Sequence, residues 1–363
     1  NTLVKLALRR AGVDEQLEIL FARGIDPEDE SAVRNPTDLW PSRAEVQRFA
    51  DACDALVEEA LRTATLEDDT VPQLRGGEAA LTILEHELMH QETLLYMLHA
   101  LPYEKKSEVQ LLQPSHSKAV AAATALQTIP AGRATLGMPR DSSFGWDNEF
   151  PQIIVDVPEF TIDVHNVTNG QYLEYMNATG ASAPHFWVRE NEAWHRRGMF
   201  AATPLPLDAP VYVTHDEAAA YARWKGKRLP SEEEFHRAAY GTPSGEERLH
   251  PWGDALPDAS RGNFDFAHGD PVAVGSYPAS ASAWGVHDLV GNGWEWTSTL
   301  FAGFPGFTPM PSYPEYSADF FDDAHYILKG ASPVTPRELV RRSFRNWFRP
   351  NYPYVFATFR CVG

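Results

Sequence analysis

The chain has 363 residues, of which 43% are hydrophobic and 12% aromatic, a soluble globular composition long enough for two domains with separate cores. Lys and Arg number 31 against 50 Asp and Glu, a net charge of −19 with no basic run in the acidic background, so neither nucleic acid nor an anionic membrane is an expected partner. No stretch approaches about 18 uninterrupted apolar residues, and the opening NTLVKLALRRAGVDEQLEIL is too charged for a signal peptide, which predicts a cytoplasmic protein acting on small molecules.

The chain begins at Asn1 inside a helical pattern, with Leu3, Val4, Leu6, Ala7 and Leu8 ahead of a stop at Gly12. With no initiator Met, either this terminus is processed or a helix precedes it. Next, PSRAEVQRFADACDALVEEALRTA predicts a helix opened by a capping box of Ser42 and Glu45, with Val46, Phe49, Cys53, Leu56 and Val57 at helical spacing. A second long helix follows in GGEAALTILEHELMHQETLLYMLHALPY, between Gly76-Gly77 and Pro102. Together they predict a helical bundle over residues 1–110, a common setting for metal sites.

Within the second helix, EHELMHQE places His86 and His90 four residues apart, about 40° around the axis, so both imidazoles leave one face. That is a chelating geometry, but a catalytic metal centre usually needs a third protein ligand. Cys53 and Cys361 are the only cysteines, so ligands would be His and oxygen groups. Glu92 lies about 200° from His90, which suits a supporting or core role better than direct ligation. His99, about 220° from His86, reads as a surface or packing histidine.

Residues 111–132 are polar and alanine-rich and read as a linker. From Arg133 to the end, Gly, Pro, Asn, Trp and Tyr become dense, predicting short strands with long irregular loops. Two helices stand out, one from Asp216 to about Lys225 and one opened by Pro230-Ser231. The fold class is α+β, a bundle followed by a loop-rich domain over 133–363. In GNGWEWT at 291–297, the glycines permit turns and Trp294 and Trp296 anchor them.

The phrases LGMPRDSSFGWDNEFP, VTNGQYLEYMNATG, PWGD, GNGWEWT and FATFRCV, in that order, resemble the formylglycine-generating-enzyme (sulfatase-modifying factor) domain, a C-type-lectin-like fold. Members that make formylglycine use two cysteines in this domain, and here it has only Cys361. With the preceding H-x-x-x-H-x-E helix, the whole chain resembles the sulfoxide synthases of ergothioneine and ovothiol biosynthesis. The resemblance implies a DinB-like four-helix bundle with Fe(II) held by three histidines. His86 and His90 match two of them, and the third is expected upstream of Asn1.

The same resemblance implies coupling of a thiol to the imidazole C2 of hercynine, with O2 as oxidant. Tyr313 and Tyr316 match a tyrosine pair, Tyr313 as the proton or hydrogen donor and Tyr316 as a substrate neighbour. Asn346 and Trp347 match an Asn-Trp pair against the trimethylated substrate, whose quaternary ammonium suits cation–π contacts. Phe348 stands where relatives using γ-glutamylcysteine are acidic; Arg349 follows it, and Met89 replaces a glutamine of some relatives. These departures leave the donor open among cysteine, γ-glutamylcysteine and a selenium compound, and histidine stands as an alternative acceptor. A metal-free ligand-binding protein on the same scaffold is the alternative of another class.

Overall fold

The computed structural model describes residues 1–21, 40–107 and 125–363 and combines helices with small sheets. It divides into two compact units: Asn1–Leu84 with Met310–Pro314, and Glu85–Pro309 with Glu315–Gly363.

The first unit opens with a π-helical turn, Thr2–Ala7, followed by α1 (Glu15–Phe21) and α2 (Arg43–Thr63). A 3-10 turn at Pro72–Gly77 leads into α3 (Glu78–Ala100), which belongs to this unit as far as Leu84. The capping box of α2 forms as the sequence predicts: Glu45 N–H donates to Ser42 Oγ (3.3 Å) and Ser42 N–H to Glu45 Oε2 (2.8 Å). Gly76 and Gly77 take φ of +59° and +75°, a left-handed turn that starts α3 and that a side chain would strain. Leu3, Val4, Ala7, Ala60, Leu74 and Ala79 form the core of this unit. The loop Met310–Pro314 is pinned to the start of α3, because Ser312 N–H donates to Glu78 Oε1 (2.9 Å) and Ser312 Oγ lies 2.9 Å from Thr82 Oγ1.

The expected boundary at residue 110 and the linker as far as residue 124 lie outside the described residues. The second unit then supplies β1 (Leu126–Ile129), β2 (Gly132–Leu136), β3 (Ile153–Val157) and β4 (Phe160–Asp163), with β1 antiparallel to β4 and β2 to β3. After α4 (Asn169–Thr179) comes the meander β5 (Trp187–Glu190), β6 (Ala193–Arg197) and β7 (Ala202–Pro204). Helices α5 (His215–Trp224) and α6 (Glu232–Tyr240) follow. The largest sheet has the order β10 (Asn346–Phe348), β9 (Tyr326–Ala331), β8 (Gly293–Leu300), β11 (Ala357–Thr358), with β11 parallel to β8 and the other pairs antiparallel. No helix among the described residues is long and apolar enough to cross a membrane.

Helix α6 is buried along its length, and Phe235, Ala238, Ala239 and Tyr240 join Leu136, Phe160, Ile162 and Val362 in the main core. Its polar residues go in paired. Glu232 accepts from Arg345 Nε and Nη2 (3.1 and 3.2 Å) and lies 3.6 Å from Lys329 Nζ. Burial pushes the Lys329 ammonium down to about 8 against the attraction of Glu232. Lys329 also donates to the carbonyls of Arg342 (3.1 Å) and Phe344 (2.5 Å), so this cluster fixes the strand entering β10. At GNGWEWT, Asn292 holds φ +68° while its carboxamide accepts from Val272 N–H and donates to Val272 O. The two tryptophans after it are fully buried, as expected.

Candidate metal and substrate site

Helix α3 carries His86 and His90 in the second unit, and their ring centroids are 4.5 Å apart at 84°. Two imidazoles at that separation can share one cation. Burial pushes the His86 imidazole down to about 4, with His90 adding to the shift, so its lone pair is free of a proton at neutral pH. Among the described residues, no group of three or more His, Cys, Asp or Glu converges as a metal site. The pair therefore fits a metal as two donors of a larger set. Neither Glu92 nor His99 adds to it. His99 is buried, with Nε2 2.8 Å from Arg197 O and its ring against Phe186 and Phe356, a packing histidine.

Trp146, from the GWDNE stretch, lies 6.5 Å from His86 between ring centroids and stacks on Tyr316 at 3.8 Å and 24°. Tyr316 OH donates to Met89 Sδ (3.3 Å), one residue before His90. Burial and the carboxylates of Glu149, Asp147 and Glu85 raise the Tyr316 phenol well above its usual range, so it keeps its proton. Trp347 meets the edge of Tyr316 (5.3 Å, 80°) and stacks on Phe301 (4.2 Å, 7°). The second unit thus brings His86, His90, Tyr316 and Trp347 into one chain of neighbouring rings. Asn346 Oδ1 accepts from Trp347 N–H (2.9 Å), which braces the short β10 strand. Phe348 stacks on Tyr352 (4.8 Å, 15°), and Arg349 is exposed, 3.9 Å from Asp322. Tyr313 lies in the first unit with Met310–Pro314.

The charges beneath these rings come from residues to which the sequence reading gave no role. Glu85 accepts from Arg341 Nη1 (2.7 Å), Arg341 Nη2 (2.9 Å) and Trp146 Nε1 (2.9 Å). Glu149 accepts from Arg341 Nε (2.8 Å), Ser343 Oγ (2.6 Å) and Trp146 N–H (2.8 Å). Burial raises the Glu85 carboxyl and acts the same way on Glu149, but Arg341 and Ser343 hold Glu149 below the usual range. Both oxygens of Glu85 accept N–H donors, so we take it as ionised. Two carboxylates on one guanidinium leave a net negative charge beside Trp146, a field that favours a cation over the rings. The acidic pair of GWDNE was the available signal for this cluster. Nothing local to α3 identifies Arg341 as the partner.

Residues 113–363 match the sulfatase-modifying factor enzyme 1-like domain. The hercynine oxygenase of Mycolicibacterium smegmatis is 34% identical over 316 residues, 80% of this chain and 73% of that protein. The chain belongs to the hercynine oxygenase family. A second hercynine oxygenase, from Mycolicibacterium thermoresistibile, is 33% identical over 96% of this chain and 85% of its own length. Ergothioneine biosynthesis protein 1 of Neurospora crassa is 28% identical over 94% of this chain and 50% of its own length. The matches to the two hercynine oxygenases and the Neurospora protein, at 80–96% of this chain, reach well beyond the C-terminal domain.

Proposed function

We propose that the protein is an Fe(II)- and O2-dependent oxygenase of ergothioneine biosynthesis that joins a thiol to C2 of the hercynine imidazole as a sulfoxide. The observation that carries this reading is the facing His86/His90 pair beside the Trp146–Tyr316–Trp347 rings, in a chain of the hercynine oxygenase family. The reaction balances as thiol plus hercynine plus O2 giving sulfoxide plus water: the thiol S–H and imidazole C–H are lost, and C–S and S–O bonds form. Iron, when bound, supplies O2 activation and a meeting point for the reactants.

In this reading His86 and His90 provide two neutral ligands, and the first unit is part of a DinB-like bundle. Trp347 and Tyr316 face the quaternary ammonium of hercynine, which offers no proton for a hydrogen bond and is held by ring faces and by the negative charge of the Glu85–Arg341–Glu149 group. Asn346 holds Trp347 in place, and Phe348 and Arg349 border the region where the thiol partner is distinguished. Tyr313 delivers a proton or hydrogen atom, and Tyr316 keeps its own proton bound toward Met89.

Three substitutions separate these roles. His86→Ala and His90→Ala should each abolish stoichiometric iron binding, because the loss of one neutral donor leaves too few to retain a labile Fe(II). Iron retained at the parent level in either variant refutes the ligand assignment. Tyr313→Phe should keep iron and fold but divert turnover from C–S coupling to oxidation of the thiol alone, and an unchanged product ratio assigns the donor elsewhere.

A further inference from the structure

The buried face of α3 is polar. Glu85 and Glu92 lie about 20° apart around the axis, two turns along it, with Tyr96 and His99 continuing the buried line. Glu85 is held by the Arg341 cluster described above. Among the described residues, Glu92, 5% exposed, accepts only from neutral donors: Trp294 Nε1 (2.8 Å), Ser332 Oγ (2.6 Å) and Tyr96 OH on Oε1, and Thr335 Oγ1 (2.7 Å) on Oε2. Trp294 belongs to GNGWEWT on β8, and Ser332 and Thr335 form the turn after β9, where Ser332 N–H donates to Thr335 Oγ1 (2.9 Å). One carboxylate therefore ties the helix to the ends of two central strands.

A helix held at one point can still rotate, whereas two fixed points on one face set both its rotation and its height. His86 and His90 lie between these two points, so their direction follows from them. We propose that Glu92 is a positioning residue for the histidine pair: its hydrogen bonds to Trp294, Ser332 and Thr335 lock the rotation of α3 so that both imidazoles face one point beside Trp146. The inference rests on the metal-site reading for its purpose, but the lock itself is a property of the metal-free chain. A carboxylate suits the role because its two oxygens offer about four acceptor sites, enough for all four donors, which no amide or hydroxyl side chain matches.

Two mild variants test it, Thr335→Val and Trp294→Phe, each removing one donor while keeping most of the side-chain volume. Hydrogen–deuterium exchange of the metal-free protein should show amides around 86–92 exchanging about tenfold faster in each, the worth of one buried hydrogen bond, with amides of α6 unchanged. Co(II) affinity, read from its visible absorption, should fall by about tenfold in both, with altered band shape. Glu92→Gln, which keeps one acceptor oxygen, should lie between the parent and Glu92→Leu in both measurements. Exchange at 86–92 that matches the parent in both mild variants overturns the lock, as does exchange that rises equally in α6, which marks a merely structural role. If exchange behaves as expected while His86→Ala binds Co(II) as tightly as the parent, the lock stands and the metal-site reading fails.

Discussion

At the residue level, most of the site depends on a few side chains that gain their meaning from distant partners. Arg341 meets Glu85 across 256 positions of sequence and Glu149 across 192, separations over which no local pattern links the partners. Arg341→Met should cost about 3–5 kcal/mol in urea unfolding, because two buried carboxylates lose their shared cation. A loss under about 1 kcal/mol means that the cluster is solvated and contributes no more than a surface pair. Trp347 was singled out only through its match to an Asn-Trp pair of the resembled family, and nothing local pointed to its stacking partner Phe301. Trp347→Ala should weaken hercynine about thirtyfold in calorimetric titration, from the loss of about 2 kcal/mol of cation–π attraction, and leave thiol binding unchanged. Equal weakening of both ligands makes Trp347 a packing residue instead.

At the level of elements, the features legible in the sequence are those with local signals. The cap of α2, the start of α6 after Pro230-Ser231 and the extent of α5 to within a residue or so all rest on hydrogen bonds spanning three or four positions. Ser231→Ala should therefore lower stability by about 1 kcal/mol in urea unfolding, by freeing Glu234 N–H from its acceptor, and no change means that water replaces the cap. The sheet order β10-β9-β8-β11 was not legible, because the pairing of β8 with β9 joins strands separated by a long irregular loop and carries a register shift between Trp296 and Leu300. On the buried face of α3, Glu92 is buried in keeping with the supporting or core role its angle from His90 suggests, whereas no local signal marks Glu85 as buried. Glu85 and Glu92 belong to a residue type that is almost never buried unpaired, and only the donors supplied by Arg341, Trp146, Trp294, Ser332 and Thr335 reverse that expectation.

For the whole molecule, burial pushes His99 and His215 down to about 4, below the value of about 6.5 for a histidine in the unfolded chain. Between those two pH values the unfolded state binds more protons, so stability is fully present above about pH 6.5 and is lost as pH falls toward about 4. Melting temperature should accordingly drop over that window, and His99→Gln, which has no proton to gain, should flatten part of the slope. A flat parent profile shows that both rings are solvated. Whether this chain joins hercynine to a thiol is decided by mass spectrometry of the iron-loaded protein's products from hercynine, O2 and a mixture of cysteine and γ-glutamylcysteine. The expected product gives an ion at the mass of hercynine plus one thiol plus one oxygen less two hydrogens, absent with His86→Ala. Oxidised thiol alone, with hercynine recovered intact from an iron-loaded parent, would contradict it.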